Sequence, residues 1–317
     1  MEVFLNQLIN GLQRGSIYAL IALGYTMVYG VLQLINFAHG EVFMVGAFAA
    51  YFAAALAGAD VVTALAAAMA VCAALGLLME IGVYRPLRHR PRLSALIAAI
   101  GLSIFLSNLM QAVAFTFTDR AGSRVHFSGA SYTTFPVAAL MADPQYRLIP
   151  GLEVYVTRIQ ILNFAVSVAL MAALWVLVRR TMLGKAMRAC ANNKEALALM
   201  GVSVNRVIGM TFAAGAALAG AGGLLSALTY PRIDATMGLM PGLKAFVAAV
   251  LGGIGNVPGA MVGGFIMGLA EVGATAALPG SPVDYTPLAD GVAFALLILV
   301  LLVRPQGIFG EAESEKV

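Results

Sequence analysis

Three polar side chains, Asn36, His39 and Glu41, fall within six residues of a chain otherwise rich in aliphatic residues. They stand in QLINFAHGEVFMVGAF, residues 33–48, between two apolar runs, with Gly40 to interrupt a helix. An imidazole beside a carboxylate could relay a proton, because histidine titrates near neutrality. The same groups could instead shape or gate a route for a solute. Lys244 and Glu271 are further ionisable residues in apolar text. Such groups in a lipid-embedded segment are costly and count as functional candidates by default. Each also has a structural reading. Glu41 can serve as a first-turn acid favoured by the helix dipole, His39 can sit at the cytoplasmic interface, and Lys244 can snorkel. Catalysis finds little support. HGE at 39–41 is not the H-E-x-x-H zinc pattern, His89 and His126 lie in loops on opposite sides, and no Ser/His/Asp set is discernible. No catalytic or metal site is therefore expected.

What must position these residues follows from composition. Of 317 residues, 61% are hydrophobic and 11% charged, less than half the charge of an ordinary soluble domain. A spanning helix needs ~20 mostly apolar residues, and such runs recur; the alternating ~10-residue segments of a membrane barrel are absent. The fold is read as all-α and polytopic. Apolar segments lie at about 11–35, 41–58, 61–83, 93–117, 159–178, 204–229, 243–256, 259–279 and 287–303. The run from Leu243 is short enough to be a half-helix, so the reading is eight or nine transmembrane helices in one domain over 1–317. The N-terminus lacks a basic region and a small-residue cleavage site, so the first segment reads as a retained helix. The net charge of +4 gives no basic stripe interleaved with aromatics, and nucleic acid is not an expected partner.

Basic residues in short loops mark the cytoplasmic side. Arg85, Arg88, Arg90 and Arg92 form one basic loop. Residues 179–203 form the second, with Arg179, Arg180, Lys185, Arg188 and Lys194 against Glu195 alone. The loop over 118–158 balances its charges, carries three prolines and is placed on the periplasmic side. Three spans precede the first basic loop, so the N-terminus falls outside; nine spans place the C-terminus inside and eight place it outside.

Small residues at four-residue spacing, Gly215, Ala219 and Gly223 in one span and Gly259 and Gly263 in another, allow close helix contact in lipid. They serve packing within the chain or contact with a second subunit. GGIGNVPGAMVGGF (252–265) echoes the opening stretch: MVGGF follows a helix-breaking linker holding Asn256 and Pro258, as MVGAF follows Asn36–Glu41. Paired interrupted segments point to a transport pathway, and Asn36, His39, Glu41, Lys244 and Asn256 are its candidate residues. In the second basic loop, Ala196–Met200 are helix formers ending at Gly201, which suits a left-handed cap.

GSIYALIALGYTMVYGVLQLINFAHGE (15–41), RACANNKEALALMGV (188–202), KAFVAAVLGGIGNVPGAMVGG (244–264) and FALLILVLLVRPQGIFG (294–310) together resemble the LivH-type permease subunits of branched-chain amino-acid ATP-binding-cassette importers. The resemblance implies a periplasm-to-cytoplasm permease for branched-chain or related amino acids, in the bacterial inner membrane. It implies as partners a second, LivM-type permease, two cytoplasmic ATPases that bind ATP and Mg, and a periplasmic binding protein. It also implies that Arg188, Lys194, Glu195, Ala196 and Gly201 belong to an ATPase-coupling loop, with Leu197 where the family pattern has a small residue. No G-x-x-x-x-G-K-[ST] loop occurs, so the chain has no phosphate cradle of the usual kind. Permeases of this superfamily that carry urea, amides or other small solutes, and an ion-coupled secondary transporter, are the alternatives.

Overall fold

The computed structural model describes residues 2–88, 90–116, 146–147, 153–230, 232–276 and 286–310. Most of the loop predicted over 118–158 lies outside them. The described chain is helical apart from a two-residue ribbon that pairs Tyr146–Arg147 with Tyr155–Val156. Eleven helices are named here in chain order among the described residues. They are α1 (Glu2–Leu32), α2 (His39–Ala57), α3 (Val61–Met79), α4 (Arg92–Thr116), α5 (Arg158–Arg180), α6 (Met182–Asn192), α7 (Lys194–Leu199), α8 (Val204–Thr229), α9 (Leu239–Gly252), α10 (Val257–Ala276) and α11 (Thr286–Val303). A π-helical turn, Glu80–Tyr84, carries α3 onward to Leu87. Six helices are long and apolar enough to cross a bilayer, and α2, α9 and α11 supply shorter apolar stretches.

The helices sort by what they touch. α1 and α8 are the most buried and are enclosed by α2, α3, α5, α9 and α10. The more apolar spans, built on α3, α4 and α5, are the least buried. This order is physical. Lipid is as apolar as leucine, so outward faces carry large aliphatic residues, and inner contacts are made by small residues whose backbones approach closely. Gly215 of α8 lies against Gly24 of α1, Gly46 of α2 against Gly220, and Gly223 against Phe43 and Ala47. Gly264 and Gly268 of α10 meet Ala19 and Gly15 of α1, while Gly259 and Gly263 meet Gly252 and Ala248 of α9. Ala219 is fully buried on the same helix as Gly215 and Gly223.

Two ends of the bundle are defined by polar contacts. At one, Arg88 donates to Asn205 Oδ1 at 2.7 Å, joining the two basic loops. The 305–310 segment lies at the same end, with Phe309 N donating to Gly252 O, and it shares a cavity with Asn192 and Gln33. At the other, Asn6 Nδ2 donates to Glu153 O at 3.1 Å and Gln160 Nε2 to Asn10 Oδ1 at 2.9 Å. α1 begins nine residues earlier than its apolar run, because its polar first turns are held by these contacts.

Candidate functional site

Four consecutive helices start with a side-chain cap. Thr157, Thr181, Asn193 and Ser203 each accept a backbone N–H at the first turns of α5, α6, α7 and α8. Side-chain caps of this kind contribute roughly 1 kcal/mol each. α2 and α9 differ: they begin at Ala38 and Gly238 without a side-chain cap. Those two uncapped ends meet. Gly40 packs on Gly238 and Gly242, with the ideal Cβ of Gly40 only 3.0 Å from the Gly242 Cα.

The meeting point is inside the bundle. His39 packs on Gly24 and Tyr25, its ring centroid 4.8 Å from the Tyr25 ring. Gly24 lies eight residues before the end of α1, about 12 Å along the helix. The linker 33–38 therefore climbs back from the end of α1 to the level of its third quarter. One reading of the sequence put His39 at the cytoplasmic interface. The difference arises because Asn36 is anchored inward: its Oδ1 accepts from Tyr84 Oη at 2.6 Å and from Ala38 N at 3.1 Å. Gln33, at φ 56°, turns the chain at the foot of α1. Non-helical backbone at this depth is tolerated only where protein or a cavity satisfies it, and Asn36 does part of that work.

The three buried carboxylates among the described residues are treated differently. Glu80 is met by Arg85 at 2.7 Å and by Arg88. Glu271 is met by Arg14 at 3.1 Å and Lys244 at 2.8 Å, and it accepts from Tyr18 Oη at 2.6 Å. Glu41, 2% exposed, has no cation partner among the described residues. Its Oε1 accepts from Ser103 at 3.1 Å, and its Oε2 has no hydrogen-bond partner.

The five pathway candidates thus occupy three places. Asn36, His39 and Glu41 share the α2 entrance. Lys244 lies elsewhere and does not snorkel: it is 6% exposed and also reaches Asp290 of α11 at 2.6 Å. Asn256 accepts from Gly259 N at 2.9 Å, starting α10, and donates to Phe309 O at 3.0 Å. Sequence reading missed that Arg14, Tyr18 and Asp290 join Lys244 and Glu271. Arg14 was legible as a lone cation in an apolar segment, but its pairing across 257 positions was not. The Lys244 pairs make a testable clamp. Lys244→Met should destabilise the chain by about 3 kcal/mol, because it leaves Glu271 short of a cation in low dielectric. Lys244→Met combined with Glu271→Met should recover much of that loss in a thermal unfolding assay.

In the basic loop, α6 is an amphipathic helix not foreseen from the sequence, and it buries Met187 and Cys190. Burial raises the Cys190 thiol above its ordinary pKa despite the opposing pull of Lys194 and Arg88, so it is a packing group and not a thiolate nucleophile. α7 follows, with Leu197 turned inward and Leu199 and Met200 left 88% and 81% exposed. Gly201 ends the turn at φ 77°. Arg188 folds back to donate to the Val178 carbonyl, while Lys194, Glu195 and Ala196 form the first turn of α7.

The family described as branched-chain amino acid transport system / permease component matches residues 7–301. The chain is 43% identical to the high-affinity branched-chain amino acid transport system permease protein BraD of Pseudomonas aeruginosa, covering 99% of this chain and 98% of BraD. It is 42% identical, over the same shares, to the corresponding LivH protein of Escherichia coli K12. It is also 25% identical to the ribose import permease protein RbsC of E. coli K12, covering 93% of this chain and 85% of RbsC.

Proposed function

Because the chain belongs to the branched-chain amino acid transport permease family, we propose that it carries leucine, isoleucine, valine or a related amino acid from periplasm to cytoplasm. It is a membrane-embedded transport permease whose family works with separate ATPases and a binding protein. The finer assignments are part of the proposal: a LivM-type second permease, ATP and Mg held by two ATPases, and residence in the bacterial inner membrane. The observation that carries it is 42–43% identity over nearly the whole of both chains.

The geometry supports this division of labour. Six helices long enough to span and three shorter apolar ones occur among the described residues; in this reading the N-terminus lies outside and the 304–310 segment inside, at the end where the two basic loops meet. That end follows the positive-inside rule. There α7 presents Leu199 and Met200 to the cytoplasm as an apolar knob for an ATPase groove. A zwitterionic, aliphatic solute needs a mostly apolar route with few fixed charges. A different solute in the same architecture is the second reading, favoured by the similarity to a protein named as a ribose permease.

Uptake of radiolabelled leucine should require the co-expressed ATPases and binding protein. Glu195→Lys, or Gly201→Val at a left-handed position that costs a β-branched residue roughly 1–2 kcal/mol, should cut uptake and release the ATPases on affinity purification. Uptake by the purified chain alone under an ion gradient would refute the assignment in favour of a secondary transporter.

A further inference from the structure

A cavity of about 240 Å³ lies between α1, α2, α4 and α9, next to Glu41. At ~30 Å³ per water it has room for roughly eight waters or one small solute. Phe37, Ile100, Ile104 and Leu243 give it aliphatic and aromatic walls. Its polar rim is Ser103, the Tyr25 hydroxyl and the backbone of Gly40, Gly238 and Gly242. The Glu41 carboxylate stands between two of these lining residues. Ser103 donates to its Oε1, and its Oε2 lies 2.8 Å from where a Cβ on Gly238 would be. Ser107, one turn along α4 on the same face, neighbours the same carboxylate.

The arrangement lacks one thing that the other two buried carboxylates have. Among the described residues Glu80 and Glu271 are each answered by two cations, and Glu41 by none. A first-turn acid gains from the dipole of its own helix, and here the uncapped start of α9 adds a second positive end. Two helix ends and a serine are the polar groups that face this carboxylate, with no resident cation among the described residues. They leave Oε2 without a donor, buried just behind the Ser103 and Gly238 lining of an apolar space, and this is the acceptor that an incoming N–H⁺ group would reach.

We propose that this cavity is a way-station for an aliphatic solute bearing one ammonium group, with Glu41 as the ammonium acceptor and the walls on α4 and α9 holding the hydrocarbon part. The proposal rests on the amino-acid reading above and names the group that would recognise that substrate. Ser103 and Ser107 are positioning residues for the carboxylate. Competition from the serine and the helix ends keeps the binding weak enough for release.

The test uses the full importer, with its ATPases and binding protein, in lipid vesicles. A diazirine analogue of leucine is photolysed during turnover and the adducts are mapped by mass spectrometry. Adducts are expected on Ile100, Ile104 or Leu243. Glu41→Gln should lower both adduct yield and leucine uptake by about tenfold or more, the loss expected of a charged hydrogen bond. Glu41→Asp should restore part of each. If Glu41→Gln fails to assemble, Ile104→Trp, which fills the cavity from the peripheral helix, must abolish the adducts and depress uptake. Leucine uptake indifferent to Glu41→Gln or to Ile104→Trp, or adducts confined to other helices, overturns the site alone. A wild-type complex that takes up no leucine overturns the amino-acid reading and the site with it.

Discussion

Gly268→Val should remove most of the folded chain from detergent extracts. α1 and α10 make the most extensive helix contact in the structure, and they do so through backbone. A Cβ at Gly268 would run into the Gly15 N and Cα and approach the Gly11 carbonyl at 2.6 Å. One at Gly15 would meet the Phe265 Cα at 2.8 Å. A flexible side chain could swing aside, but these are main-chain atoms of two long helices. Overpacking costs typically ~1–3 kcal/mol, and the rigid partner puts this case at the upper end. Separating α1 from α10 would also pull Arg14 and Tyr18 from Glu271. A drop in Tm of roughly 6–12 °C is expected for what remains soluble. The control is on the same helix. Gly273 has nothing within 4 Å of its would-be Cβ, so Gly273→Ala should be neutral or should gain helix propensity, up to about 1 kcal/mol. Equal loss from both variants would show that the α1–α10 contact is not the cause.

That contact also shows what a sequence carries and what it hides. The spans were legible because each needs a long apolar run, and α8 matches its predicted range of 204–229. The end of α7 was legible because Gly201 suits a left-handed cap, and it stands there at φ 77°. Small-residue spacing announced close packing, but not with whom: Gly215 could have faced lipid, a partner chain or, as it does, Gly24. α6 was hidden because 182–192 carries cations on one face and reads as a loop by composition. The candidate site was half legible. Asn36, His39 and Glu41 stood out as polar residues in apolar text, whereas Ser103 and Ser107 did not, because serine is common in membrane helices. Nothing in the local text separates Glu41, which lacks a cation, from Glu271, which has two. That distinction depends on pairings 27 and 257 residues apart.

Glu80→Ala is expected to uncouple the two basic loops. Glu80 is fully buried at the start of the π-helical turn, and Arg88, whose side chain is 12% exposed, lies against it. The same guanidinium donates to Asn205 at the start of α8, directly after the loop that holds α7. Tyr84, at the far end of the turn, stacks 5.1 Å from Phe212 and donates to Asn36 at the entrance to α2. This turn and the Arg88 that follows it therefore touch the end of the second basic loop and the break that leads to Glu41. Extra-residue turns of this kind are frequent at functional sites. Removing Glu80 leaves Arg88 buried without its anion, at ~3–5 kcal/mol; Arg85 is the more exposed partner and can return to water. Glu80→Gln keeps the shape and part of the hydrogen bonding, and should lose less. The double variant Glu80→Ala with Arg88→Met should be more stable than Glu80→Ala alone, because the stranded charge is gone. Its uptake should nevertheless stay low, since Asn205 is no longer tied to the turn. Stability measured by thermal unfolding and leucine uptake by the assembled importer separate these effects. Recovery of both together in the double variant would reduce Glu80 to a folding residue, while recovery of stability alone would mark the turn as the link between the docking loop and the pathway.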